Sequence, residues 1–364
     1  MKTLNDKLNW ARNQQWFKDM EQCQQNPEWH EEGNVLVHTL KVCEALSMTD
    51  EYNNLTENEK EIVEWAAIFH DSAKPFTTSI KDGEIVTSHH SSNGVFIARK
   101  ALFELGLPVR MREDICNLVR YHMFPTKIDN AQDPVAHVVF TSWLCRNHLL
   151  SVLSEADILG RTCWRKGDNL VWLSLWNEKC KEFACFDKPY DFVNSQARID
   201  FYNSKHFQPY YHPFMDDKFE VVILSGLPGV GKSHLAKTEF KKYPLIELDM
   251  VREDMGVDPG EEEGQVQQET KERCCKLLRE KSTFVFGAVN HLKKTRRRWI
   301  SLFRGYGAKV KIIYMELPLD IILKQNKNRL KVVPEGVIRE MLSRLEVPNW
   351  DESHELEIKT EEQK

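Results

Sequence analysis

Apolar side chains between residues 4 and 186 recur at every third and fourth position with polar ones between them, most clearly over 59–69 and 135–153. That period belongs to helices packed on one face. β-Branched runs of strand length are scarce there. The exception is 77–86, whose Asp82-Gly83 pair predicts a hairpin turn. Past residue 218 the pattern changes. Short apolar runs at 219–225, 245–248, 283–286 and 309–315 alternate with helix-length segments, which predicts a parallel sheet covered on both faces. Between the two styles, 200–217 carries two prolines, several aromatic residues and little periodicity, the signature of a connector. The chain therefore divides into an all-helical domain over 1–200, a connector over 201–217 and an α/β domain over 218–364.

Composition adds bounds to this picture. The chain has 364 residues, 41% hydrophobic and 29% charged, which suits two folded domains and excludes a mostly disordered polymer. No apolar run reaches about eighteen residues and the first residues are polar and charged, so a cytoplasmic protein without a membrane span is expected. Nine cysteines without a CxxC pair point to reduced thiols rather than a disulfide framework or a zinc ribbon. The net charge of -5 hides an asymmetry. Residues 1–217 carry 23 basic and 31 acidic side chains, and the rest 27 and 24, giving -8 and +3. The last fourteen residues, 351–364, contribute six acids and two bases and read as a charged tail.

The sharpest local signal is GLPGVGKS at 226–233, a full GxxxxGK[ST] match placed after an expected strand and before an expected helix. Glycines there let backbone N–H groups close around a polyphosphate, and the helix N-terminus adds positive character. Gly226, Gly229, Gly231, Lys232, Ser233 and His234 are the candidate contacts to a nucleoside triphosphate. Lys232 would face its outer phosphates, and Ser233 would hold Mg²⁺. After the second expected strand come Asp249 and Arg252, at a strand end, where parallel sheets bind ligands. Asp249 could accept a proton from an attacking hydroxyl and Arg252 could hold an acceptor phosphate; an N-cap aspartate beside a solvated arginine is the other reading. Arg329 precedes an amphipathic helix opened by Pro334, where a lid arginine would reach the transferring phosphate. The basic run 293–298 reads either as a phosphodiester contact or as the solvated face of a helix that buries Trp299, Ile300 and Phe303. The second reading is preferred.

These residues resemble those of the polynucleotide 5′-hydroxyl kinases, which follow a P-loop with Asp-x-x-Arg and end in a lid reading Arg, then Val-Pro-x-x-Val-Ile. The resemblance implies that Asp249 is the general base, Lys232 and Arg329 act on the transferring phosphate and Arg252 binds the acceptor. Three positions depart from that pattern. Gly287 and Val289 stand where a family segment reading like DATN carries Asp and Thr, and Gln325 stands where the lid often has a further arginine.

Eight of the thirteen histidines lie between His30 and His148. Several sit on or at the edge of apolar helices, where an uncompensated imidazole is costly. FHDSAKP around His70-Asp71, an upstream His38 and a downstream Asp157 together resemble the HD phosphohydrolases, and WHEEGNVLVHTL, HHSSNG and RYHMFP resemble the HD domain joined to tRNA nucleotidyltransferases. The resemblance implies one divalent metal on His38, His70, Asp71 and Asp157, and a second on Asp71, His90 and His122. His89 is the less favoured neighbour. Such ligands suit Mn²⁺, Co²⁺, Ni²⁺ or Fe²⁺, and Lys74 could pair with a phosphate or lie along the surface.

Together the halves resemble the bacterial HD-domain polynucleotide kinases. That resemblance implies a bifunctional end-healing enzyme: ATP or another NTP with Mg²⁺ would phosphorylate a 5′-OH, and the metal-bearing half would remove a 2′,3′-cyclic, 2′- or 3′-phosphate from RNA or DNA ends. A nucleotide-metabolising hydrolase joined to a small-molecule kinase is the alternative.

Overall fold

The computed structural model describes residues 3–203, 209–213, 219–258, 260–329 and 331–360. The chain forms two compact units, Met1–Asp191 and Phe192–Lys364. The helix Ser195–Asn203 thus belongs to the second unit, where Arg198 donates to the carbonyls of Trp350, Ser353 and His354. Much of the expected connector, 204–208 and 214–217, lies outside the described residues.

The first unit is helical, with one antiparallel hairpin formed by β1 (Thr78–Lys81) and β2 (Glu84–Thr87). Asp82 and Gly83 both take positive φ at its tip, as a tight primed turn requires. Asn34 caps the helix Val35–Leu46, and a Thr56/Glu59 capping box opens Glu57–Phe69. The latter helix is buried from Ile62 through Phe69, so His70 and Asp71 leave its end inside the core. The helical period over 135–153 is carried by two helices, Pro134–Ser142 and Asn147–Gly160. Leu144 and Cys145 turn back onto the Thr141 carbonyl, while the Trp143 indole donates to the Tyr190 carbonyl. Gly160 lets the second of these helices approach Val35–Leu46 closely: a Cβ there would lie 2.9 Å from the Val42 backbone nitrogen. That approach sets Asp157 beside His38.

The second unit is a five-stranded parallel sheet in the order β4-β5-β3-β6-β7. Its strands are β3 (Glu220–Ser225), β4 (Leu245–Glu247), β5 (Phe284–Gly287), β6 (Lys309–Met315) and β7 (Glu355–Lys359). Alternate residues serve opposite faces. Val221, Ile223, Phe284, Phe286, Val310 and Ile312 pack with Trp299 and Phe303, whereas Val222, Leu224, Val285 and Ile313 pack with Leu235 and Ala236. The last strand, Glu355–Lys359, corrects the reading of that stretch as part of a tail. Its glutamates meet lysines of the neighbouring strand, Glu355 with Lys309 at 2.5 Å and Glu357 with Lys311 at 2.7 Å. The basic run forms the helix Lys293–Gly305, which buries Trp299, Ile300 and Phe303 as preferred. Arg296 turns inward with them and pairs with Glu352. No helix among the described residues is long and apolar enough to cross a membrane.

Candidate active sites

In the first unit four histidines and two aspartates converge. His38 Nε2 lies 3.0 Å from Asp157 Oδ1, 3.3 Å from His70 Nε2 and 3.6 Å from Asp71 Oδ2. Asp71 Oδ2 is 3.2 Å from His70 Nε2, while Asp71 Oδ1 faces His90 Nε2 at 3.4 Å and His122 Nε2 at 3.9 Å. Asp71 is thus common to two triads that could each hold a metal ion, His38-His70-Asp71 and Asp71-His90-His122. His89 is exposed.

The surrounding backbone prepares these atoms. His70 and His122 each donate Nδ1–H to a carbonyl three residues back, Ala67 and Val119, at 2.8 Å. Their Nε2 lone pairs therefore point at the centre. Burial pushes His122 down to about 3 and His90 to about 4, so both rings are neutral at neutral pH, the form that could take a metal. Burial would also raise the Asp71 carboxyl, but the Lys74 ammonium overrides it and holds it well below the carboxylate range. Asp71 Oδ1 is buried without a hydrogen bond. Lone-pair atoms gathered this closely repel one another unless a cation lies among them, so the donor set fits the divalent metals that an HD domain implies.

Lys74 Nζ sits 2.7 Å from Asp71 Oδ2 and donates to Gln25 Oε1 at 2.6 Å. A cavity of about 520 Å³ opens onto Asp71, His90 and His122, and its wall includes Trp29, Arg165 and Trp172. Two contributors escaped the sequence reading. Glu32 Oε1 lies 2.7 Å from His30 Nδ1 and 2.9 Å from His38 Nδ1. Arg161 grips both oxygens of Asp157; their i,i+4 spacing was a usable signal.

The second unit gathers its candidates at the carboxyl ends of the strands. Gly226, Gly229 and Gly231 all have positive φ. A Cβ on Gly226 would lie 2.4 Å from the Met315 carbonyl oxygen, so only glycine fits that bend. Lys232 begins the helix Lys232–Thr238 and donates to the Gly226 and Leu227 carbonyls at 2.7 and 2.9 Å. Burial, then the charge of Arg329, pushes its ammonium down to about 8. Ser233 donates to Glu247 Oε1 at 2.8 Å, and His234 is exposed one residue on. Arg252 is held between Asp249, at 2.9 Å, and both oxygens of Glu263, at 2.7 and 2.8 Å. Asp249 itself is largely open to solvent. Asn326 makes paired side-chain bonds to the Val333 backbone. Glu247 and Glu263 were not singled out from sequence. Glu263 comes from a separate helix, and Glu247 looked like an ordinary strand end.

Comparison with known proteins agrees with this division. Residues 35–159 match the HD domain model and residues 221–348 an AAA domain model. The L-seryl-tRNA(Sec) kinase of Methanococcus maripaludis is 26% identical over 142 residues, which are 36% of this chain and 56% of that protein. The chain thus spans about half the length of this curated relative. Among solved structures, a gluconokinase from Sinorhizobium meliloti 1021 is 15% identical with a TM-score of 0.29, covering 40% of this chain and 84% of its own. A shikimate kinase from Bacteroides thetaiotaomicron is 15% identical with a TM-score of 0.28, covering 38% and 85%. A helical HD domain is therefore followed by a P-loop kinase-like domain with a five-stranded parallel sheet.

Proposed function

We propose that the chain heals broken nucleic-acid ends, removing a 2′,3′-cyclic, 2′- or 3′-phosphate at the HD site and phosphorylating a 5′-OH at the P-loop site. The observation that carries the hydrolytic half is Asp71, shared by two buried ligand triads and open to a cavity with room for more than a phosphate. Trp29 and Trp172 offer faces for a base, and Lys74 and Arg165 offer charge for a phosphate. His38, His70, Asp71 and Asp157 would hold one divalent ion, and Asp71, His90 and His122 another. When bound, such ions supply Lewis acidity to water and to phosphate oxygens.

In the P-loop half, Asp249 accepts the proton of the attacking hydroxyl as its oxygen forms a bond to the γ-phosphorus and the bond to the β-phosphate oxygen breaks. Gly226, Gly229, Gly231 and His234 line the nucleotide with their backbone, and Ser233 faces the Mg²⁺ that accompanies it. Lys232 and Arg329 take up charge on the transferred group, and Arg252 orients the acceptor. The match to a kinase named for a seryl-tRNA favours a second reading, in which the acceptor is an alcohol other than a polynucleotide 5′ end.

One experiment separates them. RNA and DNA oligonucleotides bearing a 5′-OH and a 2′,3′-cyclic or 3′-phosphate, and free nucleosides, are incubated with ATP and a panel of divalent metals. Phosphate gain at the 5′ end and loss at the 3′ end supports end healing; strict preference for the nucleoside refutes it.

A further inference from the structure

The kinase-like half departs at Gly287 from the pattern of the kinases it resembles, where the resemblance implies a carboxylate, and the structure shows what fills the space. Glu247 ends β4 and Gly287 ends β5, and the two are direct register partners. Gly287 is buried, and a Cβ built on it would lie 2.6 Å from Glu247 Cγ and 2.9 Å from Glu247 Oε1. Any side chain at 287 would displace Glu247. Glu247 Oε1 in turn accepts the Ser233 hydroxyl at 2.8 Å. Ser233 is the P-loop residue whose type and position suit a magnesium ligand.

Resting on the kinase reading, we propose that Glu247 is the carboxylate partner of Ser233 at the nucleotide's Mg²⁺, supplied from β4 in place of one from β5. Two features support it. Mg²⁺ at phosphates is commonly held by one or two carboxylates together with phosphate oxygens and water, and Glu247 offers one at the sheet's carboxyl edge, on the strand next to Gly287. Gly287 is then required by the length of the glutamate, whose methylene groups cross the space above it. Asp249, two residues on, stays free for the acceptor hydroxyl, so the two carboxylates divide metal binding from proton transfer.

The test reads metal binding apart from turnover. Mn²⁺ replaces Mg²⁺, and its affinity for the full-length protein with a non-hydrolysable ATP analogue is followed by electron paramagnetic resonance. Nucleotide affinity in EDTA is measured alongside. Glu247→Gln is expected to weaken Mn²⁺ at least about tenfold and to leave nucleotide affinity in EDTA unchanged. The double variant Glu247→Ala with Gly287→Asp, which returns a carboxylate from β5, is expected to recover part of the loss. Unchanged Mn²⁺ affinity in Glu247→Gln overturns the assignment and leaves the kinase reading standing. Equal loss with and without metal overturns it too, since Glu247 would then only brace the loop. Failure of the wild-type protein to bind the nucleotide overturns both readings.

Discussion

Arg161 holds Asp157 through both carboxylate oxygens, Nη2 to Oδ2 at 2.5 Å and Nε to Oδ1 at 3.1 Å, while Asp157 Oδ1 also lies 3.0 Å from His38 Nε2. One buried carboxylate is thus shared between a fixed guanidinium and the centre of the histidine cluster. Removing one partner of a buried pair leaves the other charge uncompensated, which costs about 3 kcal/mol or more. Arg161→Ala should therefore melt well below the wild-type protein in EDTA, and excess Mn²⁺ should restore part of the difference if Asp157 takes a metal. An equal deficit with and without metal would remove Asp157 from the ligand set.

Asp71 has no substitute in the cluster, because its two oxygens face different histidine pairs. Asp71→Asn and His70→Ala should each abolish metal-dependent release of phosphate from a 3′ end and leave 5′ phosphorylation within about twofold, since the P-loop lies in another unit with its own sheet. Survival of the phosphatase in both variants would defeat the hydrolytic assignment.

Asp249→Ala should lower 5′ phosphorylation by about a hundredfold or more without touching phosphate removal. The side chain is exposed and, among the described residues, is bonded to Arg252, so its loss should shift the melting temperature little. Retained turnover would mean that another group takes the hydroxyl proton.

Lys232 supplies a pH signature. Its ammonium is pushed down to about 8, by burial first and then by Arg329. An anionic polyphosphate would favour the charged form and draw the pKa back up. Nucleotide binding near pH 8 should then take up protons, and affinity should fall as pH rises through 8. Calorimetry in two buffers of different ionisation enthalpy measures the uptake. Lys232→Arg, charged throughout, should show none from this position, and wild-type binding without proton uptake would place Lys232 away from the phosphates.

His354 predicts an acid limit for the second unit. Its Nδ1 accepts the Val310 N–H at 3.0 Å and its Nε2 donates to Gln196 at 2.8 Å, an arrangement that needs a neutral ring. Burial, then the charge of Arg304, pushes it down to about 4. Between pH 6.5 and 4 the unfolded chain binds a proton that the folded one refuses, so stability drops as pH falls through that window. Denaturant titrations from pH 7 to 4.5 should show a smaller decline in His354→Gln than in the wild-type chain.

The residues alone determined whatever is local: the P-loop, whose glycines, lysine and serine are contiguous; the Asp82-Gly83 turn; four strands marked by apolar runs; and His70-Asp71 at the end of a buried helix. The charged strand β7 was invisible because its neighbours, Lys309 and Lys311, lie far upstream and decide that Glu355 and Glu357 belong in a sheet. The division between units was likewise set by the grip of Arg198 on carbonyls near the far end of the chain. Only the tertiary structure could pair Arg252 with Glu263, Glu32 with His38, or Glu247 with Gly287. Each pair joins segments whose separation in sequence carries no information about their distance in space. A glycine reads as an absence until the side chain that occupies its place is seen.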